Sequence, residues 1–309
     1  MIRDLTRPSC ILCGTSRLEI RIPSGVLPDK VSVLRCRVCD LTFLGSLGQE
    51  EAFDPEEAAY WDNDEQKKLY LSEGIQKLFV TEFESRLARL EDLSEGSGAL
   101  LDVGCGVGHF LQAARRRGWA VRGLDISQAA SRVAHQTYDI DVVVGTLETA
   151  SFGAGQFDAV TLWDAIEHIR RPIENLKAAN RFLRPGGILA MKTPNESSFF
   201  KQCALAAYRA FGQKASFLLK YVYYVPHYFS YSEKSMNQLL ELCGFRPLRY
   251  EMDETPQEFA AEKINLHYQK DPKRSAVIRF LPIVRFAARA LGKGNKMVIY
   301  AKKVQGVDL

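Results

Sequence analysis

The chain has 309 residues, 46% of them apolar, which is enough for one large hydrophobic core and a small accessory module. No apolar run approaches the roughly 20 residues of a membrane-spanning helix. Residues 1–4 lack the apolar region of a signal peptide, so we expect a cytoplasmic protein. The net charge of +4 is uneven: residues 270–303 hold ten Lys/Arg and one acid, a balance of +9, so the remainder sums to −5. This pattern disfavours a generally basic, nucleic-acid-binding protein.

The N-terminal residues 1–45 contain two C-x-x-C pairs separated by about 20 residues, which is the zinc-ribbon pattern. The four cysteines are Cys10, Cys13, Cys36 and Cys39. Four thiolates close a tetrahedral Zn²⁺ site and leave no open position, so we expect a structural metal. A module of this size buries little apolar surface, and the metal should supply much of its stability.

Residues 46–75 are acidic and are predicted to form a linker that also covers the ligand site, with Tyr60 and Trp61 embedded in it. These aromatic residues either close over a bound ligand or pack the linker onto the core. An amphipathic helix over 76–93 follows, with apolar residues at helical spacing.

A glycine-rich turn follows the buried strand predicted at 99–103. Gly104, Gly106 and Gly108 let a ligand approach the main chain without Cβ clashes. Their G-x-G-x-G spacing differs from the dinucleotide pattern G-x-G-x-x-G. The next strand, within 120–127, ends in Asp125, placed where a carboxylate can hold a ribose diol. Together these features predict a site for a nucleoside-containing ligand.

Further strands are predicted at 141–145, 157–164, 188–193, 246–252 and 296–302, with helices over 175–183 and 232–244 between them. Alternation of strands and helices is typical of an α/β fold with a doubly wound sheet. Residues 76–309 should therefore form one domain around a seven-stranded sheet.

Residues 102–108 and 123–125 resemble motif I and the following acidic loop of class I S-adenosylmethionine (SAM)-dependent methyltransferases. The spacing from Asp158 to the Pro-Gly-Gly of 185–187 is also typical of that family, and the resemblance covers about 75–303. It implies a Rossmann-like sheet and a SAM site. The residues implied at that site are Asp102, Gly104, Cys105 and Gly106 around the turn, Asp125 and Ile126 at the ribose, Thr146 and Leu147 near the adenine, Trp163 and Asp164 beside the methionine, and Tyr60 as the cover.

Two histidines are candidates for a general base. His227 lies where relatives place a histidine facing the pocket, and His168 follows the fourth strand of the sheet; each is alternatively a structural histidine. No Asn/Asp-Pro-Pro-aromatic motif of amino-methylating enzymes follows that strand. The resemblance therefore favours oxygen or carbon as the methyl acceptor, with oxygen ahead.

The insertion at 195–231 is aromatic and basic, and it is predicted to be a substrate lid or a helical hairpin packed on the core. Its layout is similar to that of ubiquinone-pathway O-methyltransferases, whose insertion contacts lipid, and of sugar methyltransferases with a zinc module. These resemblances imply a small-molecule, glycan or lipid-linked acceptor.

A basic helix is predicted in the insertion at 270–295, with Pro282 kinking or splitting it. Arg279, Arg285 and Arg289 fall on one side of this helix. Such a helix binds an anionic membrane surface, or it is an ordinary helix with a solvated charged face.

An RNA methyltransferase and a non-catalytic SAM-binding scaffold are the alternative functions. Seven basic and five acidic residues up to Glu50 make a weak electrostatic footprint for RNA.

Overall fold

A computed structural model describes residues 9–27, 31–45, 59–223 and 227–304. The N-terminal module is a small antiparallel sheet of β1 (Leu18–Ile22), β2 (Val33–Cys36) and β3 (Thr42–Leu44). A two-residue strand from the insertion, described below, completes it as the fourth strand.

The main domain is built on a seven-stranded mixed sheet, as predicted. Its strands are β4 (Ala99–Val103), β5 (Ala120–Asp125), β6 (Val142–Val144), β7 (Phe157–Trp163), β8 (Leu183–Pro194), β10 (Phe245–Asp253) and β11 (Lys296–Lys303); β9 is the short Phe229–Ser230. The order is β10-β11-β8-β7-β4-β5-β6. Strands β4 to β8 are parallel, and β11 inserts antiparallel between β8 and β10. The carboxyl ends of the parallel strands therefore share one edge, where ligands bind in such sheets.

Nine α-helices connect and cover these strands in the described part of the chain. They are α1 (Asp64–Leu71), α2 (Glu73–Ser94), α3 (His109–Arg116), α4 (Gln128–Tyr138), α5 (Pro172–Phe182), α6 (Phe199–Phe211), α7 (Glu233–Leu242), α8 (Gln257–His267) and α9 (Arg274–Ala290). Short 3₁₀ segments occupy Ala59–Asp62, Ile166–His168 and Gly212–Tyr221. None of the described helices has both the length and the apolar composition needed to cross a membrane.

Local sequence explains where several helices begin. Gly108 precedes α3 with φ 85°, a left-handed conformation that favours glycine. The Ser127 hydroxyl accepts a hydrogen bond from Ala130 N at 3.3 Å and caps α4. Pro172 occupies the first turn of α5, where a missing N–H costs no intrahelical bond.

The hydrophobic core is continuous between the ribbon and one face of the large sheet. Buried ribbon residues such as Leu12 and Phe43 belong to the same cluster as Leu176 and Leu239 of α5 and α7. A second cluster fills the opposite face under α2 and α3. The ribbon therefore packs on the main domain as part of one core.

The described part of the predicted linker is helical: it contains 59–62 and α1, while 46–58 lies outside the described residues. Two element predictions need correction. Strand β8 begins at Leu183, the last residue of the helix predicted over 175–183 and five residues before the strand predicted at 188–193, because Leu183 already pairs with Phe157 of β7. Helix α9 runs through Pro282 without a break.

Candidate active site

The glycine turn after β4 is held by the carboxylate of Asp125. Its Oδ2 accepts a hydrogen bond from Gly106 N at 2.8 Å, and its Oδ1 accepts one from Ser127 N at 2.8 Å. Gly104 N donates to Leu124 O at 2.7 Å. Since a carboxylate has about four acceptor positions, Asp125 retains lone pairs for a ribose diol. The predicted turn and acid are therefore joined into one unit.

The aromatic side chain over this turn belongs to Trp61. A Cβ placed on Gly106 would lie 2.8 Å from Trp61 Cζ2, and one on Gly104 would lie 2.9 Å from Ala165 Cβ. Both glycines have positive φ, 68° for Gly104 and 52° for Gly106. Tyr60 instead accepts a hydrogen bond from Gln66 Nε2. Of the two adjacent aromatic residues, Trp61 therefore lies against Gly106, and the Tyr60 hydroxyl contacts Gln66.

Asp102 lies behind the turn and is almost completely buried. Its Oδ1 accepts a hydrogen bond from Thr161 Oγ1 at 2.6 Å, which ties β4 to β7. Burial raises the pKa of Asp102 to about 8, although the Thr161 hydroxyl opposes the rise. The Asp102 carboxyl therefore links β4 to β7 two residues before Gly104.

The remaining residues predicted around the cofactor have differing exposure. Cys105 is buried, and a Cβ on Gly123 would lie 2.8 Å from its Sγ. Leu147 has no exposed surface, so its side chain belongs to the core. Thr146 and Ile126 are partly exposed, and Thr146 N donates to Thr149 Oγ1 at 3.0 Å.

Asp164, immediately after β7, is paired with two lysines that lie far away in sequence. Its Oδ2 lies 2.7 Å from Lys192 Nζ, and Oδ1 pairs with Lys296 Nζ. These ammonium groups overcome the effect of burial and lower the Asp164 pKa well below its usual range. Its backbone is left-handed, with φ 55°, a conformation uncommon outside glycine. An ionised Asp164 held in this way is unsuited to accept a substrate proton.

Trp163 lies beside Asp164 at the same strand end. The guanidinium carbon of Arg86 sits 4.7 Å from the Trp163 ring centroid, within the range of a cation–π contact. Arg86 also reaches Asp253 at 2.8 Å. Because Lys192, Lys296 and Arg86 come from β8, β11 and α2, no local motif identified this charged layer.

The two predicted histidines lie in contact although 59 positions separate them. The ring centroids of His168 and His227 are 4.7 Å apart, with the rings nearly perpendicular. Burial, reinforced by the positive charges of nearby lysines, lowers the His227 pKa well below its ordinary value. His227 is therefore neutral at neutral pH and able to accept a proton.

Glu167 completes this cluster from a fully buried position. Its Oε2 accepts a hydrogen bond from Thr193 Oγ1 at 3.0 Å, and burial raises its pKa. One ligand atom each from Glu167, His168 and His227 lies within 4.8 Å of the others, a spacing that a divalent cation can also use. Lys296 Nζ, 3.9 Å from Glu167 Oε1, opposes a second positive charge there.

The four ribbon cysteines converge as predicted. Cys10 Sγ lies 3.4 Å from Cys39 Sγ, and Cys13 Sγ lies 3.5 Å from Cys36 Sγ. All four sulfurs fall within 4.8 Å of one another, while Zn–S bonds of about 2.3 Å in a tetrahedron require sulfurs about 3.8 Å apart. Cys36 Sγ also accepts backbone hydrogen bonds from Val38 and Cys39. The cluster fits zinc.

A methyltransferase domain model matches residues 74–250, more than half of the chain. The protein belongs to this methyltransferase family. It is a class I SAM-dependent methyltransferase, as the glycine turn and the acidic loop indicated.

Curated relatives of this methyltransferase are named ubiquinone biosynthesis O-methyltransferase. The Caulobacter vibrioides protein is 39% identical over 113 residues, which cover 35% of this chain and 44% of the relative. The Xanthomonas oryzae protein is 32% identical over 145 residues, 45% of this chain and 57% of the relative. The methyltransferase thus spans about half the length of these relatives.

Solved structures share the fold of the methyltransferase at low identity. A Bacillus halodurans protein described as a methyltransferase has a TM-score of 0.52 and 20% identity, covering 72% of this chain and 100% of that one. The YcgJ protein of Bacillus subtilis has a TM-score of 0.51 and 15% identity, covering 72% and 98%. These likenesses show the fold alone.

Proposed function

We propose that this methyltransferase methylates a hydroxyl oxygen on a small or lipid-linked acceptor, with His227 as general base and His168 as its neighbour. The observation that carries the proposal is the contact between the two histidines near the strand end occupied by Asp164. The names of the curated relatives support a hydroxyl acceptor.

The chemistry of His227 favours a phenolic hydroxyl. An imidazole with a lowered pKa is a weak base, and it removes a proton more readily from a phenol, with a pKa of about 10, than from an aliphatic or sugar hydroxyl. Lys296, which lies beside Glu167, adds a positive charge that stabilises a developing phenolate. We therefore propose a hydroxylated aromatic ring, in preference to a glycan, as the methyl acceptor.

SAM supplies an electrophilic methyl group: one O–C bond forms, one C–S bond breaks, and the electron pair of the broken bond stays on sulfur. His227 takes the hydroxyl proton as the O–C bond forms. The Asp125 carboxylate and the glycine turn hold the ribose side, Trp61 covers the turn, and Trp163 borders the methionine side. The protein contributes chiefly by aligning the hydroxyl with the methyl group.

The test is a methyl-transfer assay by mass spectrometry with octylcatechol, unsubstituted catechol and a hexose as acceptors. We expect His227→Gln to lower kcat about 100-fold without changing SAM affinity. His135→Gln, an exposed histidine on α4, is the matched control.

Several outcomes would contradict this proposal. Methylation of the hexose alone would favour a glycan acceptor, and methylation of RNA with steep salt dependence would support the RNA alternative. Tight SAM binding without turnover on any acceptor would indicate a scaffold. Activity that is lost to EDTA and restored by Mg²⁺ would make the Glu167 cluster a cation site instead of a base.

We also infer that the ribbon holds one structural Zn²⁺ through Cys10, Cys13, Cys36 and Cys39. The proximity of the four sulfurs supports this assignment. Metal analysis of the purified protein, expected to give one zinc per chain, tests it. A metal-free protein with unchanged stability would refute it.

A lipid-linked acceptor agrees with the exposed surface of α9. Phe280, Ile283 and Phe286 are 58%, 65% and 77% exposed, so the solvent face of this helix is apolar. Arg279 and Arg289 are exposed on the same helix, whereas Arg285 is not available to a membrane. Arg285 is 8% exposed and pairs with Glu254 at 3.4 Å, which corrects its predicted place on the basic face.

An exposed helix with protruding apolar side chains and flanking arginines suits the surface of an anionic bilayer. We propose that α9 makes a peripheral membrane contact there. Sedimentation with vesicles containing phosphatidylglycerol, but not with neutral vesicles, would support this contact. Equal failure with both kinds of vesicle would refute it.

A further inference from the structure

The zinc ribbon and the proposed general base share one β-sheet. Ribbon strand β3 pairs antiparallel with β9, in the register Thr42 to Ser230 and Phe43 to Phe229. Leu44 N also donates to Tyr228 O at 3.1 Å. The insertion strand that begins two residues after His227 is therefore an edge strand of the ribbon sheet.

Two of the four ribbon cysteines lie directly before β3, the strand that pairs with β9. Cys36 is the last residue of β2, and its backbone N donates to Leu41 O at 2.8 Å, directly before β3. The second cysteine pair thus forms the turn of the β2–β3 hairpin. Ordering of this turn by the metal fixes the strand on which β9 is aligned.

A buried charge network joins the same two parts of the chain. Arg21 of β1 pairs with Glu196, which follows β8; their side chains are 14% and 4% exposed. Glu196 also contacts Lys201 Nζ at 3.0 Å and accepts a hydrogen bond from Tyr223 Oη at 2.9 Å. Lys201 in turn donates to the Ser230 hydroxyl of β9. Low solvent exposure limits screening of these charges.

The opposite side of residues 227–231 contacts the 3₁₀ segment Ile166–His168. Tyr228 N donates to Glu167 O at 2.9 Å, next to His168. The cavity between the ribbon and the insertion, which His227, Phe43 and Lys201 help to line, has a volume of about 20 Å³. That is room for one water molecule, so the junction is closely packed.

We propose that the zinc ribbon is a positioning element of the catalytic site, holding residues 227–231 through β3 and Arg21 so that His227 stays opposite His168. The consequence for catalysis rests on the proposed role of His227. Arg21 and the β3 backbone are positioning groups, since nothing places them against the acceptor or SAM.

Arg21→Ala is the direct test, because it breaks the network without removing a zinc ligand. The matched control is Arg37→Ala, an arginine of the same module whose side chain is 61% exposed and lies 3.5 Å from Glu19. Hydrogen exchange measured by mass spectrometry reports the protection of residues 227–231. Calorimetry gives SAM affinity, metal analysis gives zinc content, and octylcatechol is the methyl acceptor.

We expect Arg21→Ala to raise exchange at 227–231 at least tenfold and to lower kcat about tenfold. SAM affinity should stay within twofold, and zinc should remain at one per chain. Arg21→Lys should restore most of the exchange protection and most of the kcat. Arg37→Ala should match the wild type in all four measurements.

Unchanged exchange at 227–231 in Arg21→Ala would overturn the inference, and so would increased exchange with kcat equal to that of the control. A uniform rise in exchange over the whole chain would also overturn it, because it would show general destabilisation. If the wild type methylates no hydroxyl acceptor, the proposed function fails, while the exchange measurement still decides whether the ribbon holds this segment.

Discussion

The exposed face of α9 gives the prediction that most sharply separates a membrane contact from an ordinary surface helix. Phe286 is 77% exposed. A phenylalanine side chain buries about 200 Å² when enclosed, so roughly 150 Å² of it is available to lipid. If half of that area enters the interface, at about 25 cal/mol per Å², the contribution is about 2 kcal/mol. Phe286→Gln should therefore weaken vesicle binding about 30-fold.

The assay is sedimentation with large vesicles of phosphatidylglycerol and phosphatidylcholine at low and high salt. Arg279→Gln should cost about 1 kcal/mol, and this loss should disappear at high salt, whereas the loss in Phe286→Gln should persist. Val80→Gln is the control, because Val80 is an apolar residue, 54% exposed, on a different helix. Equal weakening by Val80→Gln and Phe286→Gln, or none by either, would refute the reasoning.

Since the His227 pKa is lowered, the proton-accepting form persists below pH 6.5; kcat/KM with octylcatechol should stay level from pH 8 to 6.5, with its acid limb at lower pH. An acid limb centred above pH 7 would contradict this. Asp125→Asn should weaken SAM binding at least tenfold by calorimetry, because it removes a carboxylate oxygen from the glycine turn; unchanged affinity would remove Asp125 from the site. Cys36→Ser should lose zinc and lower the melting temperature, whereas Cys203→Ser, an exposed cysteine on α6, should do neither. Arg285→Leu should destabilise the fold by about 3 kcal/mol in urea unfolding, because it leaves Glu254 buried and unpaired, and Glu254→Leu in the same chain should recover most of that loss; additive losses would contradict the pairing.

Local sequence was sufficient to predict a structural feature where one short segment contains all the residues that the feature needs. The turn at Gly104 and Gly106 needs positive φ and leaves no room for a Cβ, and only glycine meets both conditions. Likewise, two C-x-x-C pairs predict a metal cluster because each pair brings two thiolates to one point without help from the rest of the fold. The alternation of strands and helices also predicted the doubly wound sheet, because each strand or helix is recognised from the periodicity of its own segment.

The sequence was a poorer guide where exposure depends on packing from several sides. Arg285 fits the basic side of a helical wheel, yet Glu254, which follows β10, draws it into the interior. Phe286 of the same helix is exposed together with the apolar residues Phe280 and Ile283. A helical wheel gives the relative directions of side chains but not which direction faces solvent.

The sequence by itself predicted the family, the order of the elements, the cysteine cluster, and the glycine turn with the acid Asp125 after the next strand, because each depends on a short motif or on periodicity. Only the tertiary structure brought His168 to His227, paired Asp164 with Lys192 and Lys296, and placed β9 in the ribbon sheet. These contacts join residues that sheet order makes neighbours. Sheet order is fixed by burial over the whole domain, and no local pattern encodes it.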